Sequence, residues 1–167
     1  LSELLTAEQG KPISEARGEV DYARSFLDGA AYEADRFPLV EELDRERTGK
    51  RVLVHPTSIG TTAAITPWNF PIAMLAKKVG PAFAMGCSMV LKPSEETPLS
   101  ALAFAEICVD CGLPPGVLNV LTGRPEVIGR VLMESPLVRK ISFTGSTDVG
   151  RLLVHGAATN LPRLSLE

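Results

Sequence analysis

Apolar residues follow different spacings along this chain, and the changes divide it in three. In residues 1–37, Val20, Ala23, Leu27, Ala30 and Ala34 recur at intervals of 3, 4, 3 and 4. On a 3.6-residue turn that spacing gives one apolar face, so the stretch predicts helix packed on a body, with Pro12 near a helix start. The repeat is too short and too rich in alanine for a coiled coil. Residues 38–57 change character. Glu41 to Arg51 is a dense run of mixed charge, predicting a solvated linker or arm. Arg51-Val52-Leu53-Val54-His55 then has strand composition and stops at Pro56.

Residues 58–167 are regular. Strand-like runs at Ile59–Ile65, Ser88–Leu91, Val117–Leu121, Lys140–Phe143 and Leu161–Leu166 alternate with helical stretches near 72–85, 98–110, 125–134 and 147–158. Thr97-Pro98 predicts a helix cap followed by proline in the first turn, and Gly112 with Pro114-Pro115 predicts a stop. Connections of this length rule out hairpins. The pattern predicts an α/β unit, a five-stranded parallel sheet with helices on both faces.

Composition narrows the function. Hydrophobic residues make up 45% of the 167 and the net charge is −3, which supports a core and argues against nucleic acid or a membrane surface as partner. No apolar run is long enough to span a bilayer, and Leu1-Ser2-Glu3-Leu4 carries no basic leader. The chain lacks a Met start, as an internal piece of something longer would. Three cysteines, Cys87, Cys108 and Cys111, suggest a reduced, cytoplasmic setting. Cys108 and Cys111 form a C-x-x-C at a helix end. There the dipole opposes thiol activation, and with Phe104 and Ile107 the two fall on one predicted buried stripe. His55 and His155 lack neighbours at metal-ligand spacing, and no metal site is expected.

Candidate chemistry sits at strand ends, where open α/β sheets bind ligands. Asn69, in Thr66-Pro67-Trp68-Asn69-Phe70-Pro71, is either a donor to a developing oxyanion or the cap of the next helix. Lys92-Pro93-Ser94-Glu95 reads either as a lysine and carboxylate gripping a ribose diol or as a plain loop leading into a helix. In Phe143-Thr144-Gly145-Ser146, Gly145 permits a tight turn and Ser146 opens a helix N-terminus to an anion. Lys77-Lys78, on the helix after Asn69, reads by itself as a pair of surface lysines.

Taken together, these motifs with Gly112-Leu113-Pro114-Pro115-Gly116 and Leu164-Ser165-Leu166-Glu167 resemble the aldehyde dehydrogenase superfamily in order and spacing. The resemblance is strongest from Ile59 to Glu167, and within the superfamily it is to the succinate-semialdehyde dehydrogenase branch. It implies a Rossmann-like cofactor domain, preceded by an N-terminal helical part and an oligomerisation arm at 38–57, with the catalytic domain outside this chain. Asn69 would be the oxyanion donor, Glu167 the general base, and Lys78 a relay partner of that glutamate. Thr66, Trp68, Lys92, Ser94, Glu95, Gly129, Gly145, Ser146 and Val149 would meet the cofactor: NAD, with NADP possible. Lys77 stands where the branch usually has an arginine for the substrate carboxylate, and it keeps the charge without the bidentate fork. The implied reaction is NAD(P)-dependent oxidation of an aldehyde, a carboxylated semialdehyde such as succinate semialdehyde, by covalent catalysis on a cysteine absent here. The implied parent is a homo-oligomer; the chain alone would be a non-catalytic dinucleotide-binding module.

Overall fold

Five short strands form one all-parallel sheet in the computed structural model, which describes residues 1–38, 40–43, 49 and 52–167. The chain opens with α1 (Ser2–Gln9) and α2 (Ile13–Arg36), broken at Gly10, whose φ of 88° suits glycine. A two-stranded antiparallel ribbon follows, β1 (Glu41–Leu43) and β2 (Val52–Val54). The strand at Val52–Val54 was expected. The one at Glu41–Leu43 was not, because its charges read as linker while the partner strand that pairs it lies nine residues on. The remainder of the mixed-charge run, 44–48 and 50–51, lies outside the described residues.

The sheet then alternates strictly with helices: β3 (Thr62–Ile65), α3 (Pro71–Ala84), β4 (Met89–Lys92), α4 (Pro98–Asp110), β5 (Leu118–Val120), α5 (Pro125–Glu134), β6 (Lys140–Phe143), α6 (Thr147–Ala157) and β7 (Arg163–Leu166). The order across the sheet is β5-β4-β3-β6-β7. The chain therefore winds outward from β3 in one direction, returns, and continues from β6 in the other. Ala63 and Ala64 show both faces buried. Ala64 joins Leu5, Ile72, Leu75, Val79, Leu91 and Ala101 under α1–α4, while Ala63 joins Leu132, Val138 and Ile141 under α5. Burying each large side chain contributes about 1.5–3 kcal/mol. The α2 helix rides on α3 where Gly80 lets them close in; a Cβ there would come within 3.1 Å of Ala30 Cβ.

The predicted stripe on α4 is only half right. Phe104 is buried and Cys108 half-buried, but Ile107 and Cys111 are exposed. Thirteen helical residues span about 20 Å and a four-residue strand about 13 Å, so the last turn overhangs the sheet.

Candidate functional site

The switch in winding lies between β3 and β6, whose carboxyl ends leave side by side as Thr66 and Thr144. Doubly wound sheets bind their ligands in that crevice. Most of the predicted site residues leave from this edge, at the end of β4 or on the loops after β3, β4, β6 and β7, and Val149 follows in the first turn of α6. Gly129 is one turn into α5, and Lys77 and Lys78 reach in from α3.

Asn69 is exposed on the loop entering α3 and does not cap it. The cap residue is Phe70, with no side-chain bond. Glu19 of α2 does the work instead: its Oε1 accepts from the amides of Ile72 (2.8 Å) and Ala73 (3.2 Å). Asn69 Oδ1 accepts from the Phe70 amide at 3.1 Å, and its Nδ2 donor has no partner among the described residues. The start of α4 is built the same way. Thr97 occupies the predicted cap position, but its Oγ1 is buried with no partner among the described residues, and Glu8 of α1 accepts from the Leu99 amide and from Ser100. A carboxylate already sits on each of these two helix dipoles. Neither Glu8 nor Glu19 announced itself in sequence, since each reads as an ordinary charge on an amphipathic helix.

Lys78 is buried (8% exposed) and its Nζ donates to Thr144 Oγ1 at 2.7 Å. That hydroxyl donates on to Glu167 Oε2 at 3.1 Å, and Lys77 bonds the other carboxylate oxygen. So Lys78 meets Glu167 through Thr144, a residue sequence reasoning quoted in a motif but gave no role. Burial pushes the Lys78 ammonium below the ordinary lysine range, with Lys77 and Lys140 adding to it and Glu167 opposing. The Lys77 hydrogen bond holds the Glu167 carboxyl below its usual value, with Thr144 helping. Lys77 and Lys78 line a cavity of about 460 Å³ shared with Lys140, Ser142 and Ser165.

At the end of β4, Lys92 is buried and donates to Glu95 Oε2 at 2.6 Å, which holds the half-exposed Glu95 carboxyl below its usual range. Glu95 precedes α4 by a turn and is no first-turn helix residue. Ser94 Oγ accepts from the Glu96 amide at 3.3 Å. Trp68 is 56% exposed and faces Glu8, Gln9, Glu96 and Thr97 across a cleft. Thr66 is buried, its Oγ1 without a partner among the described residues. On the other side of the switch point, Ser146 caps α6 by accepting from the Val149 amide, and Val149 is exposed in the first turn. Gly145, Ser146, Gly150 and Arg151 line a cavity of about 350 Å³. Gly145 makes the bend between β6 and α6 without a left-handed φ. It is required because a Cβ would fall 2.5 Å from the Phe143 ring. An added Cβ on Gly129 would meet nothing within 4 Å, and the residue lines none of these cavities.

The cysteines are free and lie elsewhere. Cys87 precedes β4 at the amino edge of the sheet, and α4 carries Cys108 and Cys111 about 15 Å or more back towards that edge. Among the described residues no group of His, Cys, Asp or Glu could hold a metal ion, and no helix is long and apolar enough to cross a membrane.

A parallel sheet wound outward from a central pair, with polar side chains gathered at its switch point, defines a doubly wound α/β protein of the dinucleotide-binding type. The model of the aldehyde dehydrogenase family matches residues 1–167, and the chain belongs to that family. It is 50% identical over 167 residues to the succinate-semialdehyde dehydrogenase [NADP(+)] GabD of Escherichia coli K12, covering all of this chain and 34% of that protein. It is 49% identical, with the same coverage, to a glutarate-semialdehyde dehydrogenase of Pseudomonas aeruginosa. The crystal structure of an E. coli NADP dependent enzyme superposes with a TM-score of 0.95 at 50% identity, over 99% of this chain and 34% of that one. The chain thus spans about a third of the length of these relatives.

Proposed function

We propose that this chain supplies the cofactor half of an active site that oxidises a carboxylated semialdehyde to the diacid with NAD(P). The carrying observation is the hydrogen-bonded line Lys78–Thr144–Glu167 at the same sheet edge as the unpartnered Asn69 amide. The residues present suit a dinucleotide. The α3 and α4 dipoles are taken by Glu19 and Glu8, whereas α6 offers its N-terminus beside Gly145, capped by the neutral Ser146, with the first-turn Asp148 paired to Arg151. Lys92 and Glu95 would hold the adenosine ribose, with Thr66, Trp68, Ser94, Gly129 and Val149 around the cofactor. When bound, the nicotinamide accepts a hydride from the substrate carbon.

The protein's part is as follows. A cysteine thiolate other than Cys87, Cys108 and Cys111 adds to the aldehyde carbon, and Asn69 Nδ2 donates to the oxygen that becomes negative. Loss of hydride leaves a thioester. Glu167 takes a proton from water as its oxygen attacks the thioester carbon; the C–S bond breaks, releasing the carboxylic acid and returning the cysteine as the thiolate. The proton moves on along the line through Thr144 to Lys78, where burial eases loss of the ammonium's own proton and so lets the line turn over. Lys77 must let go of Glu167 for this to happen, and a substrate carboxylate is the anion that would draw it away.

The Glu95 carboxylate suits a 2′-hydroxyl and opposes a 2′-phosphate, so NAD is the expected preference with residual NADP use. The E. coli relative is named for NADP(+), so measurement with both cofactors decides. The exposed Val52–Val54 ribbon fits an arm for a second copy, and the free cysteines fit a reducing cytoplasm.

The test uses the enzyme expressed from its complete reading frame. We expect kcat/KM for succinate or glutarate semialdehyde to exceed that for an uncharged aldehyde of equal length by roughly tenfold, equivalent to about 1.4 kcal/mol, and Lys77→Met to erase the difference. No aldehyde-dependent reduction of either cofactor would refute the activity. Equal rates on charged and uncharged aldehydes would refute the substrate class.

A further inference from the structure

Lys11 and Glu19 lie on the N-terminal helical segment, outside every strand, yet both end at the loop that carries Asn69. Glu19's side chain is fully enclosed and Lys11's is 8% exposed. Charges persist in such places only when paired and hydrogen-bonded throughout. Here every bond but the one between the two charges lands on the Asn69 segment or the start of α3. Glu19 Oε1 takes the amides of Ile72 and Ala73, and its Oε2 takes Lys11. Lys11 Nζ donates to the Asn69 carbonyl at 2.9 Å and lies 4.4 Å from the centre of the Phe70 ring. The pair therefore grips the carbonyl of Asn69, the ring of the next residue and the first amides of α3. Asn69 itself is exposed, its side chain tied only to the adjacent Phe70 amide among the described residues.

We propose that Lys11 and Glu19 are positioning residues for the aldehyde oxidation: they fix the Asn69 peptide so that Nδ2 is aimed at the substrate oxygen before substrate arrives. The proposal rests on the reading of Asn69 as oxyanion donor.

The experiment is a stopped-flow measurement of first-turnover cofactor reduction in the enzyme from its complete reading frame. Lys11→Met/Glu19→Gln removes both charges together, leaving no unpaired buried ion and keeping the acceptors for Ile72 and Ala73. It should slow the first turnover roughly tenfold, since a misplacement of about 1 Å costs up to ~100-fold. The dissociation constant for NAD(P) should stay within about twofold, which separates aim from general damage. Lys11→Arg, able to serve both acceptors, should return the rate to within roughly threefold of the parent. In an Asn69→Ala background the double substitution should change the rate by less than about twofold, because residues acting as a unit are not additive. If the double variant does not fold, Lys11→Gln is read in the same cycle.

Unchanged first turnover overturns the proposal, and so does an equal slowing with and without the Asn69 amide. In both cases a slow Asn69→Ala enzyme leaves the oxyanion reading standing. Should Asn69→Ala keep the parent's rate, that reading falls and the positioning claim falls with it.

Discussion

Replacing Thr144 by Val removes one hydroxyl from the line between Lys78 and Glu167 and changes little in shape. The hydroxyl accepts from Lys78 at 2.7 Å and donates to Glu167 at 3.1 Å. At the Glu167 end the side chain is 52% exposed and water can replace the lost donor, so the loss falls on buried Lys78. A hydrogen bond to a charged group contributes about 1.5–3 kcal/mol, which corresponds to roughly ten- to a hundredfold if the relay limits thioester hydrolysis. First-turnover cofactor reduction, which uses Asn69 and the thiol, should change by less than about threefold. The assay is reduced-nicotinamide formation followed through the burst and into the steady state. A steady-state rate within twofold of the parent, or burst and steady state falling alike, would refute the relay. Stability gives a second reading. The folded Lys78 pKa lies below the unfolded one, so the charged group costs stability at neutral pH, and that cost fades as pH rises through the folded value towards the ordinary lysine range. Loss of the Thr144 acceptor lowers the folded value further. The destabilisation of Thr144→Val should therefore be greatest near neutrality and narrow at alkaline pH; a gap that widens would contradict the burial argument.

Three further outcomes follow from the same geometry. Glu95→Ser should move the ratio of kcat/KM for NADP over NAD upward by about tenfold, a fraction of the roughly 4 kcal/mol two charges exert at ~4 Å because Glu95 is half-exposed; an unchanged ratio would mean that Glu95 does not touch the ribose. Gly80→Ala should lower stability by about 1 kcal/mol despite alanine's better helix propensity, since the new methyl meets Ala30 Cβ at 3.1 Å and the Phe26 carbonyl at 3.3 Å; a raised urea midpoint would show that α2 and α3 separate freely. Purified 1–167 should reduce no NAD(P) with any aldehyde, because its three cysteines lie away from the carboxyl edge; aldehyde-dependent activity lost on mutating one of them would overturn the site.

The five strands and four crossover helices were legible because alternation and chain stops are local signals. Thr97-Pro98 and Gly112 each sit at the predicted boundary. What escaped was long-range. Glu8 and Glu19 cap helices through amides 91 and 53 residues later, and no local pattern marks an acid whose partner is so far away. Thr144 was hidden inside a motif read for its glycine. Gly145 was read for its turn alone; that a Cβ there would also run into the Phe143 ring depends on a packing no local pattern shows. The β1 strand was missed because two glutamates in three residues look like linker until their antiparallel partner is known.

The central claim is that the Glu167 carboxylate, at the carboxyl edge beside the switch point, takes the proton from the hydrolytic water. The most direct measurement is the burst and steady state of reduced nicotinamide formed from succinate semialdehyde by Glu167→Gln in the enzyme from its complete reading frame. The claim predicts a steady-state rate lower by about 10²–10⁴, the usual loss for a general base. A Glu167→Gln enzyme turning over within a few-fold of the parent would contradict it.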